Sequence, residues 1–231
     1  MKCMPSELVD LTVTSPPYDN LRTYKGFSFN FESIANELYR ITKPGGVVVW
    51  VVGDATIQGS ESGTSFKQAL YFKDIGFNIH DTMIYRKLNA MPNPNSRRYR
   101  QAFEFMFVLS KGLPKTFNPI QVEIRRKDIG KQRKVDGSLE NYSKQYTTNK
   151  YRKIDNIFEY GVGGQKTDHP AIFPEQLAHD HIITWSNESE IVFDPMCGSG
   201  TTLKMAKQLG RNFLGFDISN EYVEITKQRI V

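Results

Sequence analysis

Asp194-Pro195-Met196-Cys197-Gly198-Ser199-Gly200-Thr201-Thr202 is the stretch on which the fold turns. Glu190–Phe193 ahead of it has the length and apolar content of a buried strand, and Thr201–Leu209 behind it reads as a helix. The glycines between them let the backbone turn sharply and pass close to a ligand at the end of a sheet. The next strand, Asn212–Phe216, runs into Asp217, and a closing helix starts at Asn220. A carboxylate at that place can accept hydrogen bonds from both hydroxyls of a ribose. No Lys follows the second glycine, so this is not a P-loop, and an isolated Gly-x-Gly is usually no more than a tight turn. The succession of strand, glycine turn, helix, strand and acid is what points to nucleoside binding.

Working outward, Phe173–Trp185 places Leu177, His181 and Ile182 on one side of a helix. At the other end, Val9–Thr14 reads as a strand that opens into Ser15-Pro16-Pro17. Phe31–Thr42 carries Ile34, Leu38 and Ile41 at helical spacing and is stopped by Lys43-Pro44-Gly45-Gly46. Val47–Val52 is an unbroken apolar run, as a strand covered on both faces by helices requires. Thr64–Ile75 reads as a helix, Asn78–Tyr85 and Ala102–Leu109 as strands, and Asn89–Arg98, rich in proline and asparagine, as a loop. Strand and helix alternate at both ends of the chain, which predicts an α/β fold with a mostly parallel sheet and helices on both faces.

Between these ends, periodicity is lost from Lys111 to Lys166, where Gly, Lys, Arg, Asn and Tyr dominate. The expected organisation is therefore 1–110 and 167–231 as two halves of one domain, with 111–166 as a basic insertion. Lys111–Lys153 holds twelve Lys plus Arg against four Asp plus Glu, a local balance of +8, which leaves −3 on the rest of a chain of net charge +5. Such a patch supplies salt-dependent attraction to a polyanion, although a solvated surface loop has the same composition. At 231 residues with 39% hydrophobic content the chain can bury a core without staples. Its two cysteines, Cys3 and Cys197, are too few for a zinc cluster or disulfide framework, so a reducing cytoplasm is the expected compartment and no metal is expected. No uncharged run is long enough to span a membrane, and Met1–Asp10 has no apolar stretch of signal-peptide type.

Thr14-Ser15-Pro16-Pro17-Tyr18 is the second loop with chemical content. Successive prolines lock the backbone and leave the Pro16 carbonyl as a fixed acceptor. The Ser15 hydroxyl adds another acceptor, and Tyr18 offers a flat face. The three together can hold a planar base that carries an amino group, by hydrogen bonds and stacking. Taken by itself, a proline turn with a tyrosine packed over it explains the same residues.

With both loops in view, the chain resembles the amino-methylating DNA methyltransferases that use S-adenosylmethionine. Thr14–Tyr18 is similar to their catalytic motif and Asp194–Thr202 to their cofactor loop, usually Asp-Pro-Phe-x-Gly-Ser-Gly-Thr-Thr. The catalytic motif comes first, the permuted order of the family's beta group, and residues 111–166 fall where that group reads its target. His169-Pro170-Ala171-Ile172-Phe173-Pro174-Glu175 resembles the segment that helps bind the methionine part of the cofactor.

The resemblance implies a Rossmann-like methyltransferase fold. It implies that Asp194, Pro195, Met196, Gly198, Ser199, Gly200 and Thr201 bind the cofactor together with His169 and Phe173, and that Asp217 holds the ribose. Ser15, Pro16, Pro17 and Tyr18 would hold the amine of a base flipped from double-stranded DNA. Ser at position 15 leans toward cytosine N4 over adenine N6. Methylation at cytosine carbon needs a cysteine nucleophile, which neither Cys3 in the irregular start nor Cys197 in the cofactor loop supplies. Family members also carry a Gly-Asp strand and helix ahead of the catalytic strand. Met1–Glu7 leaves room only for the tail of that helix: either the start codon is misplaced, the sequence is shortened, or the protein lacks one N-terminal edge strand and one cofactor contact. A non-catalytic DNA-binding relic, or methylation of RNA or of a protein glutamine, are the alternatives. A cognate restriction endonuclease and a homodimer are the further partners the family implies.

Other polar residues have weaker claims. His80, His179 and His181 have no metal-ligand spacing, so core-edge or surface roles are expected. Asn89, Asn93, Asn95, Arg97, Arg98 and Arg100 form a cationic loop placed, by the resemblance, near the target base. Tyr142, Tyr146 and Tyr151, interleaved with Lys144, Lys150, Arg152 and Lys153, are candidate DNA contacts.

Overall fold

The computed structural model describes residues 1–17, 29–90, 92, 97–123, 131–141, 150–161 and 174–231. Of the expected site residues, Tyr18, His169 and Phe173 lie outside the described residues, as do Asn93, Asn95, Tyr142, Lys144 and Tyr146. The described chain divides into two units, Met1–Asn118 with Asn156–Val231, and Pro119–Asp155.

In chain order the elements are β1 (Val9–Thr14), α1 (Phe31–Ile41), β2 (Thr42–Val52), β3 (Thr56–Ile57), β4 (Ser60–Glu61), α2 (Thr64–Asp74), β5 (Asn78–Lys87) and β6 (Phe103–Ser110). There follow β7 (Gln121–Glu123), β8 (Lys131–Arg133), β9 (Leu139–Asn141), β10 (Tyr151–Lys153) and β11 (Ile157–Tyr160). The chain closes with α3 (Glu175–Trp185), β12 (Ile191–Asp194), α4 (Thr201–Gln208), β13 (Asn212–Gly215) and α5 (Asn220–Ile230).

The larger unit is built on a seven-stranded sheet of order β11-β5-β6-β2-β1-β12-β13. Every neighbouring pair runs parallel except those made by β6, which is antiparallel to both β5 and β2. The expected α/β architecture with a mostly parallel sheet is therefore what the chain adopts. Every residue from Val47 to Val52 is buried, so both faces of β2 are covered. On one face, α1 and α2 close a core of Ala35, Leu38, Ile41, Ala69 and Phe72 around Val48, Trp50 and Val52. Edge-on ring contacts of Trp50, Phe72 and Phe77, at 5.0 and 5.7 Å, tighten it, each worth about 0.5–1.5 kcal/mol beyond its buried area. Within that core the Trp50 indole N–H donates to Gln68 Oε1 at 2.8 Å. Helix α1 starts where Asn30 Oδ1 accepts from the Ser33 amide at 3.0 Å, a side-chain N-cap. The helices α3, α4 and α5 pack with one another, and α3 and α4 pack against β1, β12 and β13.

Two boundaries differ from those expected. Thr42, read as the end of a helix, and Lys43-Pro44-Gly45-Gly46, read as its stop, are the start of β2. Thr42 pairs with Val9, and the register then slips so that Leu11 meets Val47. Gly45, at φ +79°, makes that irregularity and donates its amide to the Lys111 carbonyl at 2.7 Å. Likewise, Ile157–Tyr160 belongs to the main sheet rather than to an aperiodic insertion, pairing parallel to β5 with Leu88 N donating to Tyr160 O at 3.0 Å. Four residues with only Phe158 and Tyr160 buried leave too short an alternation to stand out in a polar context.

The smaller unit consists of two antiparallel pairs, β7 with β10 and β8 with β9. Tyr151 is exposed beside Lys150, whose ammonium lies 5.6 Å from its ring centre. Arg152 faces Asp155 at 3.1 Å. Lys134 and Glu140 pair across the β8–β9 hairpin at 3.2 Å.

Candidate active site

The connection from β1 through α1 leads one way along the sheet to β2, and that from β12 through α4 leads the other way to β13. Strands β1 and β12 are parallel neighbours, with Leu11 opposite Val192 and Thr12 opposite Phe193. Their C-terminal ends therefore flank the point where the order of the sheet reverses, which is where open α/β sheets bind ligands. The two loops singled out in the sequence leave the sheet at this point, one after Thr14 and the other after Asp194.

The glycine loop is held from three sides. Asp217 Oδ2 accepts from the Gly198 amide at 2.8 Å and Oδ1 from the Ser219 amide at 2.9 Å. Among the described residues each carboxylate oxygen accepts one hydrogen bond, an oxygen of this kind can accept a second, and the side chain is half-buried. Thr226 of α5 donates from Oγ1 to the Gly198 carbonyl at 2.8 Å. Gly200 has φ +78°, and a Cβ there would meet the Thr226 side chain at 2.7 Å, so the position is closed to other residues on both counts. Arg229 donates from Nη1 to the Ser199 carbonyl and hydroxyl, both at 2.7 Å, and from Nη2 to Glu175 Oε1 at 3.0 Å. Glu175, at the first turn of α3, also receives Lys204 Nζ at 2.6 Å.

Asp194 lies at the centre of the arrangement and is only 4% exposed. Its Oδ1 accepts from Thr14 Oγ1 at 2.8 Å and from the Met196 amide at 3.1 Å. Burial pushes its carboxyl up to about 7, against the opposing pull of hydrogen bonds from Thr14, the Met196 amide and Thr202. Pro195 has no N–H to continue the ladder toward β1, and the Val13 carbonyl accepts instead from Thr202 Oγ1 at 3.1 Å. Cys197 is buried, and its thiol is pushed up to about 12 by desolvation and then by Asp194. A thiol that stays protonated is not a nucleophile, in keeping with the exclusion of carbon methylation. In the second loop Ser15 is half-buried, Pro16 buried and Pro17 half-buried, next to the β1–β12 junction.

Several residues of this site give no sign of their role in the sequence. Thr14, Glu175 and Thr202 sit inside the quoted motifs without a role of their own there, whereas Thr226 and Arg229 lie outside them and work through partners about 30 to 55 residues away. The three described histidines, His80, His179 and His181, make their contacts away from the β1–β12 junction. His181 is buried with Nε2 3.3 Å from Met106 Sδ, its ring stacked on Phe158, and burial lowers it to about 4. His80 stands edge-on to Trp185, and His179 Nδ1 is 2.9 Å from Asp180. In the loop after β5, Arg98 donates to the Gly59 carbonyl and pairs with Glu61 at 3.5 Å, tying that loop to the β3–β4 hairpin. Among the described residues no group of three or more His, Cys, Asp or Glu side chains could hold a metal, and no helix is long and apolar enough to cross a membrane.

A reversing parallel sheet with a glycine loop, an acid after the next strand and a Ser-Pro-Pro loop at the crevice defines a Rossmann-like methyltransferase. The chain belongs to the DNA methylase family, whose N6_N4_Mtase sequence model it matches over residues 9–228. It is 53% identical over 235 residues to the orphan methyltransferase M.BamHII of Bacillus amyloliquefaciens, covering 96% of this chain and 88% of the relative. It is 27% identical to the type II methyltransferase M.HpaI of Haemophilus parainfluenzae, over all of this chain and 70% of that one. Among solved structures it resembles the cytosine-N4-specific PvuII DNA methyltransferase, with TM-score 0.74 and 22% identity, covering 100% of this chain and 82% of the other. The M1.HpyAVI–SAM complex matches with TM-score 0.62 and 25% identity over 96% and 88% of the two chains.

Proposed function

We propose that this DNA methylase transfers a methyl group from S-adenosylmethionine to the exocyclic amine of a base flipped out of double-stranded DNA, and that the amine is cytosine N4. The observation that carries the proposal is the meeting of the Ser15–Pro16–Pro17 loop and the glycine loop at the switch point, joined by the Thr14–Asp194 bond at 2.8 Å.

The residues present fit the cofactor. Asp217, each of whose oxygens accepts one backbone amide among the described residues, can accept again from a ribose, and the buried Asp194, pushed up to about 7 by burial, is held in its charged form by a cation in the crevice. Gly198, Ser199, Gly200 and Thr201 shape the rim, and Pro195 and Met196 set its exit from β12; a part for His169 and Phe173 in holding the methionine portion rests on the sequence resemblance alone. When bound, the cofactor supplies an electrophilic methyl group on a sulfonium. The chain's own work is to present the nucleophile. An amine conjugated to its ring is a poor nucleophile, and acceptors at Ser15 Oγ and the Pro16 carbonyl draw its hydrogens, and with them its lone pair, toward a tetrahedral geometry. Positioning of this kind supplies much of the rate. Flipping the base costs roughly a few kcal/mol, and stacking on Tyr18 offsets part of it.

Cytosine is favoured over adenine by Ser15 at the first position of the catalytic motif. The basic segment, treated as target recognition within 111–166, supplies the attraction to DNA phosphates. The same proposal places the enzyme in the cytoplasm, with a restriction endonuclease of matching specificity and a second copy of the chain as partners. Methyl transfer from labelled cofactor to DNA duplexes, followed by nucleoside analysis, tests it. N4-methylcytosine is expected, and a chain that binds DNA but neither binds nor consumes the cofactor contradicts it.

A further inference from the structure

We infer that Thr14 is a positioning residue for methyl transfer, holding the acceptor loop against the glycine loop through its bond to Asp194; this rests on the function proposed above. The paired residues of β1 and β12 end at Thr12 and Phe193. Beyond that level both chains turn out of the sheet, at Ser15 and at Pro195. Two side-chain bonds then link them. Thr14 Oγ1 donates to Asp194 Oδ1 across 180 residues of sequence, and Thr202 Oγ1 donates to the Val13 carbonyl across 189. Thr14 and Thr202 are fully buried, so neither hydroxyl has water as an alternative partner. The first bond lies one residue before Ser15, where the amine is received. Its acceptor is the first residue of the loop proposed to bind the methyl donor. A misplacement of about 1 Å between donor and acceptor can cost about a hundredfold in rate, and these links fix that spacing.

The bond also joins the position of the acceptor loop to the ionisation of Asp194. The titratable groups facing Asp194 are Asp217, from the turn after β13, and Cys197, in its own loop; Thr14 from β1 and Thr202 from α4 present hydroxyls. Asp217 raises the Asp194 carboxyl and the hydroxyls lower it. Removing Thr14 Oγ1 therefore moves Asp194 further up, whereas a change that only loosened packing would leave its titration in place.

The test compares the wild type with Thr14→Val, nearly isosteric but without the hydroxyl, and Thr14→Ser, which retains it. Cofactor affinity is measured by calorimetry between pH 6 and 9, the thermal midpoint of the unliganded protein over the same range, and methyl transfer in single turnovers. Wild-type affinity rises as pH increases through about 7. In Thr14→Val that midpoint moves up by roughly one unit, the weight of one hydrogen bond to a charged group. The single-turnover rate at pH 8 falls at least about tenfold with DNA affinity unchanged, and Thr14→Ser restores both. A Thr14→Val protein with the wild-type midpoint and rate, or a Thr14→Ser protein no better than Thr14→Val, overturns the inference. If Thr14→Val does not fold, Thr14→Ser and Thr202→Val decide it, the first matching the wild type and the second losing rate. A wild type that binds the cofactor but transfers no methyl group sinks the proposed function, and with it the part of Thr14 in transfer, while the binding and thermal midpoints still decide whether Thr14 links the two loops through Asp194.

Discussion

Arg229, near the end of α5, is bonded to Glu175 at the start of α3, Nη2 to Oε1 at 3.0 Å, while its other terminal nitrogen holds Ser199 at 2.7 Å. One guanidinium thus joins the glycine loop to α3. With its side chain only 15% exposed, the pair is shielded enough for the contact to count. Arg229→Ala leaves the Ser199 carbonyl without this donor and should weaken cofactor binding about tenfold, the effect of roughly 1.5 kcal/mol. Arg229→Lys should recover only part, because an ammonium cannot span both partners in the guanidinium's planar geometry. Calorimetry with the cofactor, alongside a thermal melt to confirm folding, measures it.

Asp194 carries a cost that its replacement should expose. Its folded carboxyl is raised to about 7 from an ordinary 3.8, so between those values the folded state holds a proton that the unfolded state has released. Stability is therefore lost as pH rises from about 4 to about 7 and stays lost above that. Asp194→Asn keeps an acceptor for Thr14 and the Met196 amide without a buried charge. The unliganded variant should melt higher than the wild type at pH 8, yet bind the cofactor more weakly. Thermal melts and calorimetry at pH 8 check both directions.

His181 acts at the acid end with the opposite sign. Burial lowers it to about 4 from 6.5, so on acidification the unfolded state takes up a proton first, and stability falls between about 6.5 and 4. The slope contributed by one such group is at most about 1.4 kcal/mol per pH unit. His181→Gln, which cannot titrate, should flatten the acid limb of a denaturation profile, at the cost of a lower plateau from weaker packing on Phe158.

Those groups mark what could and could not be read from the chain. The run Val47–Val52 and the loop 194–202 were legible because each depends on neighbours in sequence: a strand buried on both faces must be continuously apolar, and a sharp turn needs its glycines locally. Strand β11 was not, since its partner β5 lies about 70 residues upstream and only two of its residues face the core. Arg229 as a site residue, and the bond from Thr14 to Asp194, were illegible for a related reason. A hydrogen bond across 30 or 180 residues leaves no local spacing to detect.

The acceptor loop yields a sharper kinetic expectation. Under the proposed function, Ser15→Ala removes one of two acceptors for the amine, and it touches none of the bonds from Asp217, Thr226 and Arg229 that hold the glycine loop. The rate of methyl transfer should fall about tenfold to a hundredfold while cofactor affinity stays within about twofold of the wild type. Single-turnover rates and calorimetry separate the two.

For the smaller unit, Lys131→Gln and Lys153→Gln should weaken DNA binding about equally on cognate and unrelated duplexes. For every phosphate that a substituted lysine no longer neutralises, the slope of affinity against the logarithm of salt should fall by about one. Fluorescence anisotropy over a salt series reads that slope.

The central claim is that the two loops at the β1–β12 junction bring a methyl donor and a base amine together. It is tested most directly by incubating the full chain with double-stranded DNA and S-adenosylmethionine labelled in its methyl group, then digesting the DNA to nucleosides. Labelled N4-methylcytosine is the predicted product, abolished when Ser15 and Asp194 are replaced together. Label at cytosine carbon 5, or none in DNA from a protein that binds both substrates, would contradict the account.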